Sequence, residues 1–254
     1  MAVSIKTEHE IALMRESNHR LEKVFEELKK MVAPGISTWE IDQEARRLIK
    51  AQEGIPNFLN FEGYPAAVCT SVNVEVVHGI PKKSRILKEG DIISLDCGLI
   101  YKGYHSDAAR TYAVGEIADS ERKLMEVTRQ SFFEGMKYAR AGHHLHEISN
   151  AIGDYAESFG YGVIRDLVGH GIGTSMHEDP QIPNFRQKSR GIRLVPGMTL
   201  AVEPMISEGT WEVEWLDDDW TVVTADGKPA AHYENTILIT EGEPEILSLT
   251  KSED

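Results

Sequence analysis

Hydrophobic and polar positions repeat along this chain with two different periods, and the changes of period divide it into segments. Near the N-terminus Ile11, Met14, Leu21, Val24, Phe25 and Leu28 recur at helical spacing. Thr7 and Glu10 form a capping-box pattern ahead of them, and Pro34-Gly35 stops the run. A second box, Ser37 with Glu40, and a staple between Ile36 and Ile41 predict another helix to about Gly54. From Ala66 to Val114 the period shortens: AAVCTSV, DIISLDCGLIY and SDAARTYAV are β-branched runs broken by Gly and Pro, which predicts a sheet. Lys102-Gly103 suits a two-residue hairpin turn that pairs Tyr101 with Tyr104 and Asp96 with Ala109. Asp107 then becomes the diagonal, same-face neighbour of Asp96.

The second half follows the same plan. Helical patterns run from about Asp119 to Arg140 and from Leu145 to Phe159, followed by the strand-like LVPGMTLAVEPM and ENTILIT. At a constant offset of 107 positions Gly35, Glu40 and Ile41 fall on Gly142, Glu147 and Ile148, and Leu87, Gly90 and Asp96 fall on Leu194, Gly197 and Glu203. Beyond an extra loop, Asp107 falls on Glu234. The pattern predicts one α+β domain over 1–254 with pseudo-twofold halves, roughly 1–115 and 116–254. Each half offers one carboxylate on a strand and a second on the returning strand.

Composition narrows the partners. The 254 residues carry 41 acidic against 27 basic side chains, a formal charge of −14 that repels a phosphate backbone, so nucleic acid is not expected as a substrate. Two cysteines, Cys69 and Cys97, give no disulfide framework and point to a reducing, cytoplasmic setting. The start MAVSIKTEHEIALMRES has charges where a signal peptide needs an apolar stretch, and no run of 18 apolar residues occurs, so neither a leader nor a membrane span is expected.

Several carboxylates lie in unusual places. Asp96 interrupts the apolar ISLDCGL, where an unpartnered charge is costly, and two aspartates that converge can both ionise only beside a cation. Glu203 ends MTLAVEP, held extended by Pro204, and Glu234 opens a strongly apolar strand; each alone also suits a salt bridge. His170 sits in VGHGIG, where flanking glycines permit close backbone approach and leave imidazole as the functional group. His177 follows in MHEDP and His78 in VVHGIP. The remaining histidines (His9, His19, His105, His143, His144, His146 and His232) read as hydrogen-bonded structural residues, and HHLH at 143–146 as a solvated helix start.

HGIP, the two aspartates, GHGIG with His177 behind it, EPM and YEN together resemble type I methionine aminopeptidases of the bacterial kind, over essentially the whole chain. The resemblance implies the pita-bread fold, a central antiparallel sheet with outer helices and a dinuclear metal site. It also implies removal of N-terminal methionine from new peptides and proteins when the next residue is small, by a metal-bridged hydroxide. By position Asp96 resembles the chelating ligand of one metal, Asp107 and Glu234 the bridges, and His170 with Glu203 the ligands of the other. Four carboxylates and one imidazole suit Co, Mn, Fe or Zn. Glu203 would also carry the proton, His177 would donate to the oxyanion and His78 would contact the scissile amide or substrate amine. The methionine pocket maps to Phe61, Tyr64, Cys69, Met176 and Trp220 with Phe58 nearby; Phe61 and Met176 replace a tyrosine and another aromatic. The resemblance further implies a monovalent cation on main-chain carbonyls near Asn73 and Glu75, nascent polypeptide N-termini as partners, a position near the ribosome, and a monomer. The acidic stretch from Glu208 to Asp219 argues against direct docking on ribosomal RNA, and Lys82, Lys83 and Arg85 read as a solvated loop.

Three rivals share parts of this pattern. A proline-specific relative would use the same five ligands but is expected to carry a further N-terminal domain, and the short spacing from His177 to Glu203 leaves no room for the insertion of type II enzymes. A metal-free peptide-binding protein of the same fold would need no convergent carboxylates.

Overall fold

The first helix begins where its cap dictates. The Glu10 carboxylate accepts the Thr7 N–H at 2.7 Å, and the Thr7 hydroxyl oxygen accepts the Glu10 N–H at 3.4 Å. Helix α1 then spans Glu8–Met31 and buries its apolar stripe. The Ser37–Glu40 box opens α2, Thr38–Ala51. Together α1 and α2 cover a core that includes Phe25, Leu28, Ile41, Ile49, Val68, Leu95 and Leu99. This computed structural model describes residues 3–249.

Helices α3, Asp119–Met136, and α4, Leu145–Glu157, cover a second core around Phe132, Ile148, Leu200 and Ile237. Both end sooner than the periodicity predicts. Ala139 and Phe159 bond to carbonyls three residues back, the tight closure of a frayed last turn, and so leave the helix.

Among the described residues the main sheet has nine strands. The strand order along its path is Ile55–Pro56, Ile92–Tyr101, Tyr104–Ala113, Glu234–Leu238, Thr199–Val202, Gly169–Gly171 and Glu178–Ile182. Val68–Val72 pairs with the second of these, and Glu245–Ile246 with the fourth. The hairpin has the predicted register, Tyr101 opposite Tyr104 and Asp96 opposite Ala109. Lys102 and Gly103 both take positive φ, 49° and 85°, as a two-residue turn between twisted strands requires.

The same local wiring occurs twice. Gly35 N–H donates to the Leu87 carbonyl at 2.8 Å, and Gly142 N–H to the Leu194 carbonyl at 3.0 Å. Ser37 bridges Ile86 as His144 bridges Arg193. Gly90 and Gly197 hold φ near 89° and 88°. All of these pairs are 107 positions apart.

LVPGMTLAVEPM is not one strand. Pro204 has no N–H to give a ladder, so the chain leaves the main sheet after Val202 and re-enters a separate three-stranded sheet at Met205–Ser207. The returning chain makes the reverse exchange, from Ala230–His232 in the small sheet to Glu234–Leu238 in the large one. Glu203 and Glu234 therefore stand where strands change sheets.

Candidate metal centre and active site

Paired strand residues project from one face of a sheet, as do residues two apart on a strand, so the register places every side chain. Cys69 is opposite Asp96, Asp96 opposite Ala109, and Ala109 opposite Glu234. The register of Asn235 with Val202 carries this row on to Glu203. The next row runs Gly98, Asp107, Thr236, Ala201, His170. It is tied where Asp107 N–H donates to the Thr236 hydroxyl at 3.2 Å. Functional groups in both rows are interspersed with glycine, alanine and threonine, and the small residues leave open the space into which the acids point. Glycines beside His170 serve the same crowding. A Cβ on Gly169 would run into the Ala201 carbonyl, and one on Gly171 into the Asp179 carbonyl, so His170 lies in a strand wedged between neighbours rather than in a loose turn.

The five carboxylate and imidazole residues read from the sequence come to one cavity of about 480 Å³. Asp107, His170 and Glu234 each offer a ligand atom, all within 4.8 Å of one another. His170 Nε2 is 3.7 Å from Glu203 Oε1. Asp107 and Glu234 are only 3% and 2% exposed. Among the described residues Asp96 Oδ1, Asp107 Oδ1 and Glu234 Oε1 are buried without a hydrogen-bond partner. Ionised carboxylates cannot donate, so acceptor atoms gathered without donors fit a divalent cation. The Nδ1 of His170 faces the Gly171 carbonyl at 2.9 Å; as donor there, it turns the Nε2 lone pair toward the acids.

Electrostatics agree with that fit. Burial pushes Asp96 up to about 7, with His232 opposing and Glu203 adding to the shift. Burial pushes Glu203 up to about 8. Asp107 and Glu234 are raised well above the ordinary carboxylate range by burial and then by one another's neighbouring acids. Burial, with His177 beside it, lowers His170 to about 3, which keeps it a neutral ligand. A carboxyl raised on folding favours the fold when protonated. That contribution is full below the ordinary values of 3.8 and 4.5 and is lost as pH rises through about 7 for Asp96 and about 8 for Glu203. The melting temperature of chelated protein should therefore fall from about pH 5 to about pH 8.5. A flat calorimetric profile would contradict the burial of these acids.

The apolar end of the cavity gathers the predicted pocket residues. Phe58, Tyr64, Cys69 and Met176 are buried in one cluster, with Phe61 and Trp220 packed against it. Tyr64 meets Trp220 edge to face at 5.1 Å and its hydroxyl donates to the Gly79 carbonyl at 3.0 Å. His177 stands on the open side, its ring 4.4 Å from His170 and 5.4 Å from Phe61. His78, at a positive φ of 60°, faces Trp220 at 6.2 Å, and burial lowers it to about 4. Asn73 and Glu75 take no part in this cavity; Asn73 bonds Asp91 and Ile92, and Glu75 accepts the Val72 N–H.

Two readings of the histidines need correction. His232 is not a satisfied structural residue: it is 1% exposed, neither ring nitrogen has a hydrogen-bond partner among the described residues, and Nε2 is 3.5 Å from Glu203 Oε2. No strand period places it, since His232 ends a strand of the small sheet and Glu234 opens one of the large sheet; the change of sheet between them brings the imidazole to Glu203. His143, His144 and His146 are half-buried rather than solvated, because main-chain bonds from Leu145 and His146 dock the helix start on residues 190–192. Among the described residues they join no metal-binding cluster.

A sequence profile of metallopeptidase family M24 matches residues 12–241, most of the chain. The chain belongs to metallopeptidase family M24. Divalent metal use follows from that membership, and the M24 chain has close relatives over its full span. It is 51% identical over 247 residues to a methionine aminopeptidase of Clostridium acetobutylicum, covering 97% of this chain and 99% of that one. A solved methionine aminopeptidase from Thermotoga maritima superposes with a TM-score of 0.95 at 44% identity, covering 97% and 99%. The pita-bread fold is therefore that of this M24 chain. A Xaa-Pro dipeptidase from Bacillus anthracis matches less closely, with a TM-score of 0.78 and 25% identity, and the M24 chain spans only 62% of it. No helix among the described residues is long and apolar enough to cross a membrane.

Proposed function

We infer that this chain is a methionine aminopeptidase, one catalytic domain of two related halves that removes N-terminal methionine when the next residue is small. The observation that carries this reading is the continuity of the sheet face. The row that holds Asp96, Glu234 and Glu203 begins at Cys69, so the acid cluster and the apolar pocket share one cavity. A methionine side chain among Phe58, Tyr64, Cys69 and Met176 sets its own carbonyl beside the acids. An unbranched thioether suits aromatic and sulfur-containing walls.

Asp96, Asp107, His170, Glu203 and Glu234 would hold two divalent ions, of Co, Mn, Fe or Zn. Such ions, when bound, polarise a carbonyl and make water acidic enough to react at neutral pH. Glu203, whose carboxylate lies beside His170 and the other acids at the point where the chain leaves the main sheet, takes and returns a proton. His177, on the open side beside His170, donates to the carbonyl oxygen as charge develops there. His78, across from Trp220, orients the scissile amide. Both cysteines are free and buried, which fits the reducing cytoplasm where nascent N-termini emerge. We take the enzyme to act there as a monomer. The acidic 208–219 loop is mostly exposed, so a site near the ribosome would not be reached through RNA contacts of that loop.

The test is cleavage of Met-Ala-Ser against Gly-Pro-Ala by metal-loaded protein. Release of methionine from the first, with the second intact, is expected; the reverse preference would make the chain a proline-specific peptidase. His177→Ala should lower kcat by about 100-fold while leaving bound metal, measured by atomic emission, unchanged. Loss of metal from that variant would mean that His177 has been given the wrong role.

A further inference from the structure

Lys6 lies outside the 12–241 stretch matched by the family profile, yet its side chain ends beside the active site. Its N–H donates to the Gly197 carbonyl at 2.8 Å, which fixes the segment ahead of α1. Its ammonium donates to Glu178 Oε2 at 2.6 Å, and the two side chains are only 3% and 14% exposed. The other Glu178 oxygen accepts the Ser175 N–H at 3.2 Å. Gly173 N–H donates to the Ser175 carbonyl at 3.1 Å, and the Gly173 carbonyl accepts the His105 N–H at 2.8 Å. At Gly173 there is no spare space: a Cβ there would sit 2.5 Å from Lys6 Cε and 2.6 Å from Glu178 Oε1. The turn clasped in this way carries Met176, which packs in the apolar pocket, and His177.

We propose that Lys6 is a positioning residue for His177, the buried Lys6–Glu178 ion pair holding the Gly173–Glu178 turn so that the imidazole faces the reacting carbonyl. The proposal rests on the peptidase reading above. A buried pair broken on one side leaves an uncompensated charge, so Glu178 would turn toward water and take Ser175 and His177 with it. Displacement of a catalytic group by about 1 Å is enough for a large loss of rate.

The test uses Lys6→Met, which keeps the stem and removes the charge, and Lys6→Arg, which keeps the charge. Each is assayed on Met-Ala-Ser alone and in a His177→Ala background, with melting temperature, bound metal and amide exchange of residues 174–178. Lys6→Met is expected to lower kcat roughly 10- to 100-fold with bound metal unchanged. Lys6→Arg should keep most of the activity, and Lys6→Met should cost nothing further once His177 is gone. Wild-type kcat in Lys6→Met, or the same proportional loss in the His177→Ala background, would overturn the proposal. The exchange readout stands apart from activity: faster exchange at 174–178 in Lys6→Met supports the clasp, and unchanged protection refutes it even where the wild-type protein fails to cleave Met-Ala-Ser. Glu178→Gln, read by the same measurements, replaces Lys6→Met should that variant not fold.

Discussion

Asp107→Asn and Glu234→Gln should each lower kcat/KM for Met-Ala-Ser by at least about a thousandfold, without loss of the fold. Both acids are buried among other acids, and each has an oxygen with no hydrogen-bond partner among the described residues. An amide of the same shape removes a charge that two cations would share, yet disturbs no apolar packing. The sign of the stability effect also follows. Burial and neighbouring acids raise both carboxyls well above their ordinary range, so ionising them in chelated protein works against the fold. Chelated Asp107→Asn should therefore melt no lower than chelated wild type at about pH 8. Near-wild-type turnover in either variant would remove the substituted residue from the metal centre.

Exhaustive chelation should abolish turnover in the wild-type protein, and a single added species of divalent ion should restore it. The same ions should raise the melting temperature, because a ligand at 100 times its Kd stabilises the state it binds by about 2.7 kcal/mol. For a chain of this length that is roughly 5 to 10 °C. Turnover that survives chelation, with no residual metal by atomic emission, would leave the gathered carboxylates without a purpose in catalysis.

The two halves of this centre differ in how far they can be read without coordinates. Asp96 and Asp107 sit on one hairpin whose turn, Lys102-Gly103, fixes the register, and a period of two then puts both on one face. Glu203 and Glu234 stand on strands that meet only through long-range pairing, so their approach depended on the repeat at 107 positions and on the family resemblance. That Glu203 marks a change of sheet follows from the missing N–H of Pro204, although the motif reads as one strand. A lone histidine is seldom a ligand, and His232 lies across a change of sheet from Glu234, so no single strand period places it on the working face. The Lys6–Glu178 pair has no such signal. It joins positions 172 apart, and no periodicity relates the segment before a helix to a turn in the other half of the chain.

Anomalous diffraction from crystals of the active, manganese-loaded protein tests the central claim most directly, since it locates the ions without reference to the protein atoms. The account predicts peaks between the Asp107 and Glu234 carboxylates, flanked by Asp96 on one side and by His170 and Glu203 on the other. Fully active crystals with manganese elsewhere, or with none, would contradict it.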